Sequence, residues 1–465
     1  MLSDATRRRT REKSMFRKSI LAAAIGVTIV GAHARAETPG VTSAEVKVGA
    51  TFPFSGPASP LSNTGKGLIA YINSINERGG INGRKINLIT YDDAYSPPKT
   101  VEQTRKLVES DEVAFLFGPL GTPGIGATIK YVNAKKVPHL FVVSGVTKFT
   151  NFSEFPMTTT GLPSYDTEGR IYAKYITQAR PDAKIAILYQ NDDLGKDFVN
   201  AFKGYLKDFL NAFKGYLKED FDKKVVSSSY EVTEPTIDSH VVKLKSSGAE
   251  AFLVAGTPKF AAQAIKKADE VGWKPLFLIN FVSSSVSSTI VPAGPEKAVG
   301  IVAATITKDP NDKKWADDPG IKWYREHFAK YLPGADIGDA NYLFGTQQGQ
   351  ILEQVLKQCG DDLSRENIVK QSRNIRGLSL PTLIPGVTIN TGPESSMAYT
   401  QLQLQRWNGS TWATEIARSP REGLAATNRF VVVHVVFFAE LRDERLFRVR
   451  AFFDVYGAAV SLGVL

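Results

Sequence analysis

Cysteine is almost missing: Cys359 is the only one in 465 residues. No intramolecular disulfide can form, and no zinc site can be built from thiolates. A chain of this length, enough for two or three domains, can bury a core large enough to do without either. Histidine is scarce too, and His139, His240, His327 and His434 all stand outside metal-ligand spacing of one another. No apolar run reaches the length of a membrane span, the longest near the start being Ile20 to Ala32. The motifs of nucleotide and hydrolase chemistry are absent: no GxGxxG, no GK[ST] ending to a phosphate loop, no GxSxG and no HExxH. "GPLGTPGIG" (118–126) only echoes a phosphate loop. Asp92 and Asp93 are adjacent on a strand, so they point to opposite faces and make a poor acid pair. No cofactor and no metal are expected.

Positive charge is present but confined. The net charge is +10, of which +6 lies in residues 1–36 and +2 from Arg418 to the end, leaving the stretch between near neutral. A nucleic-acid role therefore loses its main support. The leading charge has another explanation. "MFRKSILAAAIGVTIVGAHARA" (15–36) has a basic start, an apolar middle and small residues around Arg35, the pattern of a secretory signal. Residues 1–36 are expected to be a signal cleaved after Ala36, with Met15 as its true start. Arg7 to Arg9 leave a twin-arginine signal open. The mature chain is expected to be exported and soluble, or lightly tethered.

Beyond the leader, strand and helix patterns alternate. "EVKVGATFPFSG" (45–56) alternates apolar and polar residues and stops at Pro53. "GKGLIAYINSINERGG" (65–80) carries Leu68, Ile69, Ile72 and Ile75 at helical spacing and ends on two glycines. Further strands fall at 84–93, 113–119, 137–144, 184–190, 224–232, 249–256 and 275–280, with helices between them and at 315–332 and 341–359. "QLQLQRWNGSTWATE" (401–415) reads as a hairpin turning at Asn408-Gly409. Alternation of this kind implies α/β architecture: two Rossmann-like lobes with parallel sheets.

Open parallel sheets bind ligands at the carboxyl ends of their strands. Small polar residues gather there: Ser55-Gly56, Gly118 to Thr122, Ser144 to Thr147, Asn191 to Asp193, Gly256-Thr257 and Ser283 to Ser285. Hydroxyls and backbone N–H groups at helix starts suit a small polar or anionic ligand. The same residues also serve as ordinary turns and caps.

Residues 70–140, "AYINSINERGGINGRKINLITYDDAYSPPKTVEQTRKLVESDEVAFLFGPLGTPGIGATIKYVNAKKVPHL", resemble the branched-chain amino-acid type of periplasmic binding protein, the solute receptor of ABC importers. The string INxxGGINGRKI, DDxxxPP, RKLVExDxV, GPxGT is specific as a set. The likeness runs from Val46 to Trp412. It implies two lobes joined by three crossing segments, with residues 43–158 and 308–378 in lobe 1, residues 159–307 and 379–416 in lobe 2, and a ligand cleft between them. It also implies a periplasmic monomer that binds a small-molecule solute and docks on an inner-membrane permease. In such proteins first-lobe loops hold a carboxylate. The matching positions are Gly121, Thr122, Ser144, Gly145 and Thr147, with Ser55 and Thr257 on equivalent loops.

Two departures matter. The family's second-lobe acid for a ligand ammonium has no counterpart in "LINFVSSSV" (278–286), where Phe281 stands instead. "QNDDLGKDF" (190–198) has Leu194 where an aromatic is common, and its Asp193 is either a substitute acid or a helix cap. A buried ammonium without a counter-charge costs several kcal/mol. The expected ligand is thus a carboxylate with an apolar or aromatic body, packed on Phe54 and Phe281. The alternatives are a ligand sensor on the same fold and, less favoured, a secreted enzyme.

Two features stand apart. Residues 197–207 and 208–218 are near-identical, differing only at Val199 and Leu210. Eleven residues are close to three helical turns, so the second copy keeps the apolar stripe in phase. It is read as an in-frame duplication with no part in binding. Residues 417–465 are atypical of the family and are expected to lie outside the fold.

Overall fold

The computed structural model describes residues 38–212, 224–393, 397–414, 435–442 and 445–453. The leader, the cleavage point, residues 213–218 of the second copy and most of the tail lie outside the described residues.

The chain opens with β1 (Glu45–Phe52), and Pro53 ends it. Then come α1 (Asn63–Glu77), β2 (Lys85–Asp92), α2 (Pro97–Arg105), β3 (Phe115–Phe117), α3 (Thr122–Ala134), β4 (His139–Val142) and β5 (Thr158–Thr160). These strands form one sheet in the order β2-β1-β3-β4-β5, every pair parallel. The second series is α4 (Tyr165–Ala179), β6 (Ile185–Gln190), α5 (Asp193–Ala212), β7 (Val225–Tyr230), α6 (Asp238–Ser246), β8 (Ala251–Ala255), α7 (Pro258–Glu270), β9 (Leu276–Ile279) and β10 (Val302–Thr305). Its sheet has the order β12-β11-β10-β9-β8-β6-β7, with β11 (Gln403–Trp407) and β12 (Trp412–Thr414) added antiparallel at one edge.

Between β10 and β11 the chain supplies α8 (Pro319–Tyr331), α9 (Ala340–Cys359) and α10 (Arg365–Ser372). Helices α8 and α9 pack on α1, on the first lobe. The chain therefore crosses between lobes three times: after β5, after β10 and after α10. This is the two-lobed α/β plan that the sequence implies.

Helices α1 and α9 touch backbone to backbone. A Cβ on Gly67 would lie 2.2 Å from the Tyr342 carbonyl oxygen, and one on Gly345 would lie 2.0 Å from that of Thr64. Only glycine fits either position. The central strands are wholly apolar and buried, as in FLF of β3 and AFLVA of β8, which parallel sheets covered on both faces require.

Strands β5 and β10 are not among the elements expected from the sequence. At three and four residues they are too short to show a period. Helix α5 carries the first copy of the duplicated stretch. Phe198, Val199, Phe202 and Leu206 are buried, and the Phe198 ring lies 5.8 Å from that of Tyr172 on α4. In the tail, β13 (Val435–Arg442) and β14 (Arg445–Phe453) pair antiparallel as a sheet of their own.

Candidate functional site

Both sheets turn their carboxyl ends to one cleft, which encloses about 960 Å³ of empty space, part of it open to solvent. Each lobe brings a helix start to it, and the two starts share a tripeptide. Gly121-Thr122-Pro123 opens α3 after β3, and Gly256-Thr257-Pro258 opens α7 after β8. Proline suits a first helical turn, where its missing N–H costs nothing. Gly121 has φ 125°, a left-handed conformation, and a Cβ there would meet the Tyr95 ring at 3.1 Å.

The wall at the start of α3 is internally bonded. Thr122 Oγ1 and Ser144 Oγ stand 2.8 Å apart, and the Tyr165 hydroxyl is 3.5 Å from Thr122 Oγ1. Burial pushes the Tyr165 phenol up to about 12, so it stays a neutral donor. The second-lobe wall differs. Thr257 is at the cap position of α7 yet makes no cap bond, and its side chain and backbone lie in hydrogen-bond reach of the buried Tyr230 hydroxyl. Phe281 is held by Glu168, whose Oε1 accepts from the Phe281 N–H at 2.5 Å; burial raises that carboxyl to about 7.

Most of the remaining lining is apolar, with Leu61, Leu120, Val286, Leu343, Phe344 and Trp412 prominent. Lys308 is the only cation among the lining residues, and it is committed: Nζ lies 2.6 Å from Asp318 Oδ2 and 2.8 Å from the Pro381 carbonyl. Its neighbour Asp309 also lines the cleft. Its carboxylate accepts from the Asn311 N–H at 2.8 Å and from the Trp412 backbone N–H, and burial raises its carboxyl.

Of the residues singled out in the sequence, Gly121, Thr122, Leu194, Thr257, Phe281, Ser284 and Ser285 line the cleft together. Ser144 is one step back, bonded to Thr122. Gly145 lets the next crossing close in, since a Cβ there would lie 2.2 Å from the Pro163 carbonyl. The others are placed elsewhere. Phe54 packs on the core beside Phe52, rings 5.7 Å apart, and Ser55 donates to Asp92 Oδ2 at 2.6 Å. Thr147 donates twice to Asp197, and Asp193 pairs with Lys148. Asp93 accepts from the Tyr95 N–H and from Thr100, a turn role.

Sequence reasoning missed Tyr95, Tyr165, Asp309, Phe344 and Trp412. Tyr95 reaches the cleft because Ala94 and Tyr95 have φ 51° and 59°, a loop conformation that carries no residue signature here.

The family profile described as periplasmic binding protein matches residues 45–411. The chain belongs to the periplasmic binding protein family. Among relatives of this periplasmic binding protein, the Leu/Ile/Val-binding protein homolog 7 of Brucella suis is 24% identical over 270 residues, 56% of this chain and 63% of that protein. The chain thus spans a little under two thirds of that relative's length. An amino acid binding protein of Pseudomonas aeruginosa is 25% identical over 311 residues, 64% of this chain and 75% of its own length. A branched-chain amino acid ABC transporter protein of Thermus thermophilus, solved with bound valine, superposes with a TM-score of 0.69 at 17% identity, covering 80% of this chain and 96% of that one. A fatty acid ABC transporter substrate-binding protein of Thermomonospora curvata gives 0.66 at 20% identity, covering 81% and 93%. At these identities the structural matches establish the fold.

Among the described residues, no helix is long and apolar enough to cross a membrane, and no group of three or more His, Cys, Asp or Glu residues could hold a metal ion.

Proposed function

We propose that this periplasmic binding protein works in the periplasm, after export and cleavage near Ala36, as the monomeric receptor of an ABC importer. It captures a small carboxylate-bearing solute with an apolar body and hands it to an inner-membrane permease, with no catalytic step. The observation that carries the reading is the start of α3 at Gly121-Thr122, opening onto a mostly apolar wall. The lining cation is already paired, so a carboxylate there relies on hydroxyls, N–H groups and the positive end of the helix. Relatives named for amino acids and a fold neighbour named for fatty acids share a carboxylate and an apolar body.

The ammonium is where sequence and cleft part. Asp309 lines the cleft and can stand in for the acid missing from 278–286, so want of a counter-charge does not exclude an amino acid. The test is calorimetry and thermal shift of the purified protein with aromatic acids, aliphatic acids, and leucine or valine, since a specific ligand raises apparent stability by mass action. Binding within any of these classes is expected. Tight binding of leucine or valine with no binding of the simple acids would assign the ammonium a role, and binding of none would overturn the reading.

A further inference from the structure

After β2, two adjacent residues stand in the left-handed region without being glycine: Ala94 at φ 51° and Tyr95 at φ 59°. Such backbone is uncommon in residues with a Cβ and persists where its surroundings impose it. The two carboxylates before it do so here. Asp92 Oδ1 accepts from the Ala94 N–H, and Asp93 Oδ1 from the Tyr95 N–H, both at 2.9 Å. Each acid is anchored in turn: Asp92 by the Ser55 N–H at 3.1 Å and hydroxyl at 2.6 Å, Asp93 by the Thr100 hydroxyl at 2.9 Å. Gly56 lets the turn close in, since a Cβ there would lie 2.6 Å from the Ala94 carbonyl oxygen. The Asp92-Asp93 pair, idle as an acid pair, thus serves to aim one side chain.

That side chain is Tyr95, which lines the cleft and is 5% exposed. Its ring lies over the start of α3, where a Cβ on Gly121 would meet two ring carbons at 3.1 and 3.2 Å. Its hydroxyl crosses to the second lobe. It lies in hydrogen-bond reach of the Gln190 side chain, at the end of β6, whose Nε2 donates to Asp192 Oδ2 at 2.5 Å. Burial and the Asp192 carboxylate keep the phenol protonated. Ring and hydroxyl therefore differ in what they depend on. The bonds that hold the turn are all within the first lobe and stay when the lobes part. The hydroxyl's partner is in the second lobe, so that contact exists only while the cleft is shut. An interaction made only in the closed state adds to the closed population.

We propose that Tyr95 is a latch: its ring covers the end of the cleft where the carboxylate is held, and its hydroxyl ties the first lobe to Gln190 of the second, so that it slows solute release. This rests on the carboxylate reading above. The test is calorimetry and stopped-flow fluorescence of the full protein with leucine, 4-methylpentanoate and 3-phenylpropanoate as probes. Tyr95→Phe keeps the ring and loses the hydroxyl. It should release a bound probe about 5-fold faster, with capture within about 2-fold and the solute-free urea midpoint unchanged. A general weakening of the fold would not give that split. Gln190→Met should also speed release, and adding it to Tyr95→Phe should change little further, since both remove one contact. Tyr95→Ala should lose more affinity than Tyr95→Phe, because the ring goes too. Release at the unaltered rate from Tyr95→Phe would overturn the latch, as would effects of Tyr95→Phe and Gln190→Met that add in full. Binding of none of the three probes would instead remove the carboxylate reading itself, and the latch with it.

Discussion

On one side of the cleft, Asp339 is 2% exposed and joins the lobes through hydroxyls and amides. It accepts from Asn63 Nδ2 at 2.8 Å in the first lobe, and from Ser285 Oγ at 2.9 Å and Ser288 Oγ at 3.1 Å in the second. It also caps α9 through the Asn341 N–H at 2.9 Å. On the other side the lobes meet through Thr147 and Lys148, reaching Asp197 and Asp193 on α5. The Lys148 and Asp193 side chains there are 55% and 41% exposed. Both seams tie the same two lobes, but one is buried and many-bonded and the other is half in water. A buried acceptor stripped of its donors is costly, whereas an exposed ion pair is worth little. The closed arrangement should therefore depend chiefly on the Asp339 side.

Asp339→Ala tests that dependence most severely. It leaves Asn63, Ser285 and Ser288 without their shared acceptor and removes a cap, so a loss of about 3 kcal/mol in unfolding free energy is expected. Solute affinity should fall with it, because bonds made only across the closed cleft favour the closed population. Ser285→Ala and Ser288→Ala keep the cap and should weaken affinity more than stability. Denaturant unfolding and calorimetry on the three variants separate the two effects. An Asp339→Ala protein with unchanged affinity would break the comparison.

Burial alone does not set the behaviour of a carboxylate, and Glu168 sharpens the point. It is as buried as Asp339 but has one short backbone donor, Phe281 N–H. Burial raises its folded value to about 7 from an ordinary 4.5. The folded state then holds the proton more tightly than the unfolded chain, so stability falls as pH rises from about 4.5 to about 7 and levels off above. The loss is at most about 3 kcal/mol. Glu168→Gln should remove this contribution and be the more stable protein at pH 8. Urea midpoints at pH 5 and pH 8 decide the matter, and an equal pH slope in both proteins would show that Glu168 is not the group responsible.

The sequence made the larger scale legible. Apolar runs such as AFLVA and FLF, punctuated by Gly and Pro, locate the central strands and the loops at their ends, and helix starts at Thr122 and Thr257 follow from that. What stayed hidden depends on tertiary closure. Asp309 enters the cleft from a crossing segment, and Trp412 from a hairpin added to the second sheet at its far edge in sequence. Neither position has a periodic neighbour to betray it. Thr147 and Asp193 look like ligand groups in sequence because hydroxyls and acids at strand ends are read the same way whether they meet a solute or the opposite lobe. In the closed structure both meet the opposite lobe.

The weaker seam offers graded tests. Asp197 takes both the N–H and the hydroxyl of Thr147, at 2.8 and 2.9 Å, in a half-buried setting. Asp197→Ala should cost about 1–2 kcal/mol, less than Asp339→Ala, and lower affinity several-fold. Lys148→Ala should be the mildest change. Its 2.7 Å contact with Asp193 is exposed on both sides, where the attraction is screened and the long lysine side chain must be ordered to make it. A change under about 0.5 kcal/mol is expected, vanishing at high salt. If Lys148→Ala instead weakened solute binding as much as Asp339→Ala does, and kept doing so in 0.5 M salt, the exposed seam would be the one that holds the lobes together. The ranking by burial would then have to be reversed.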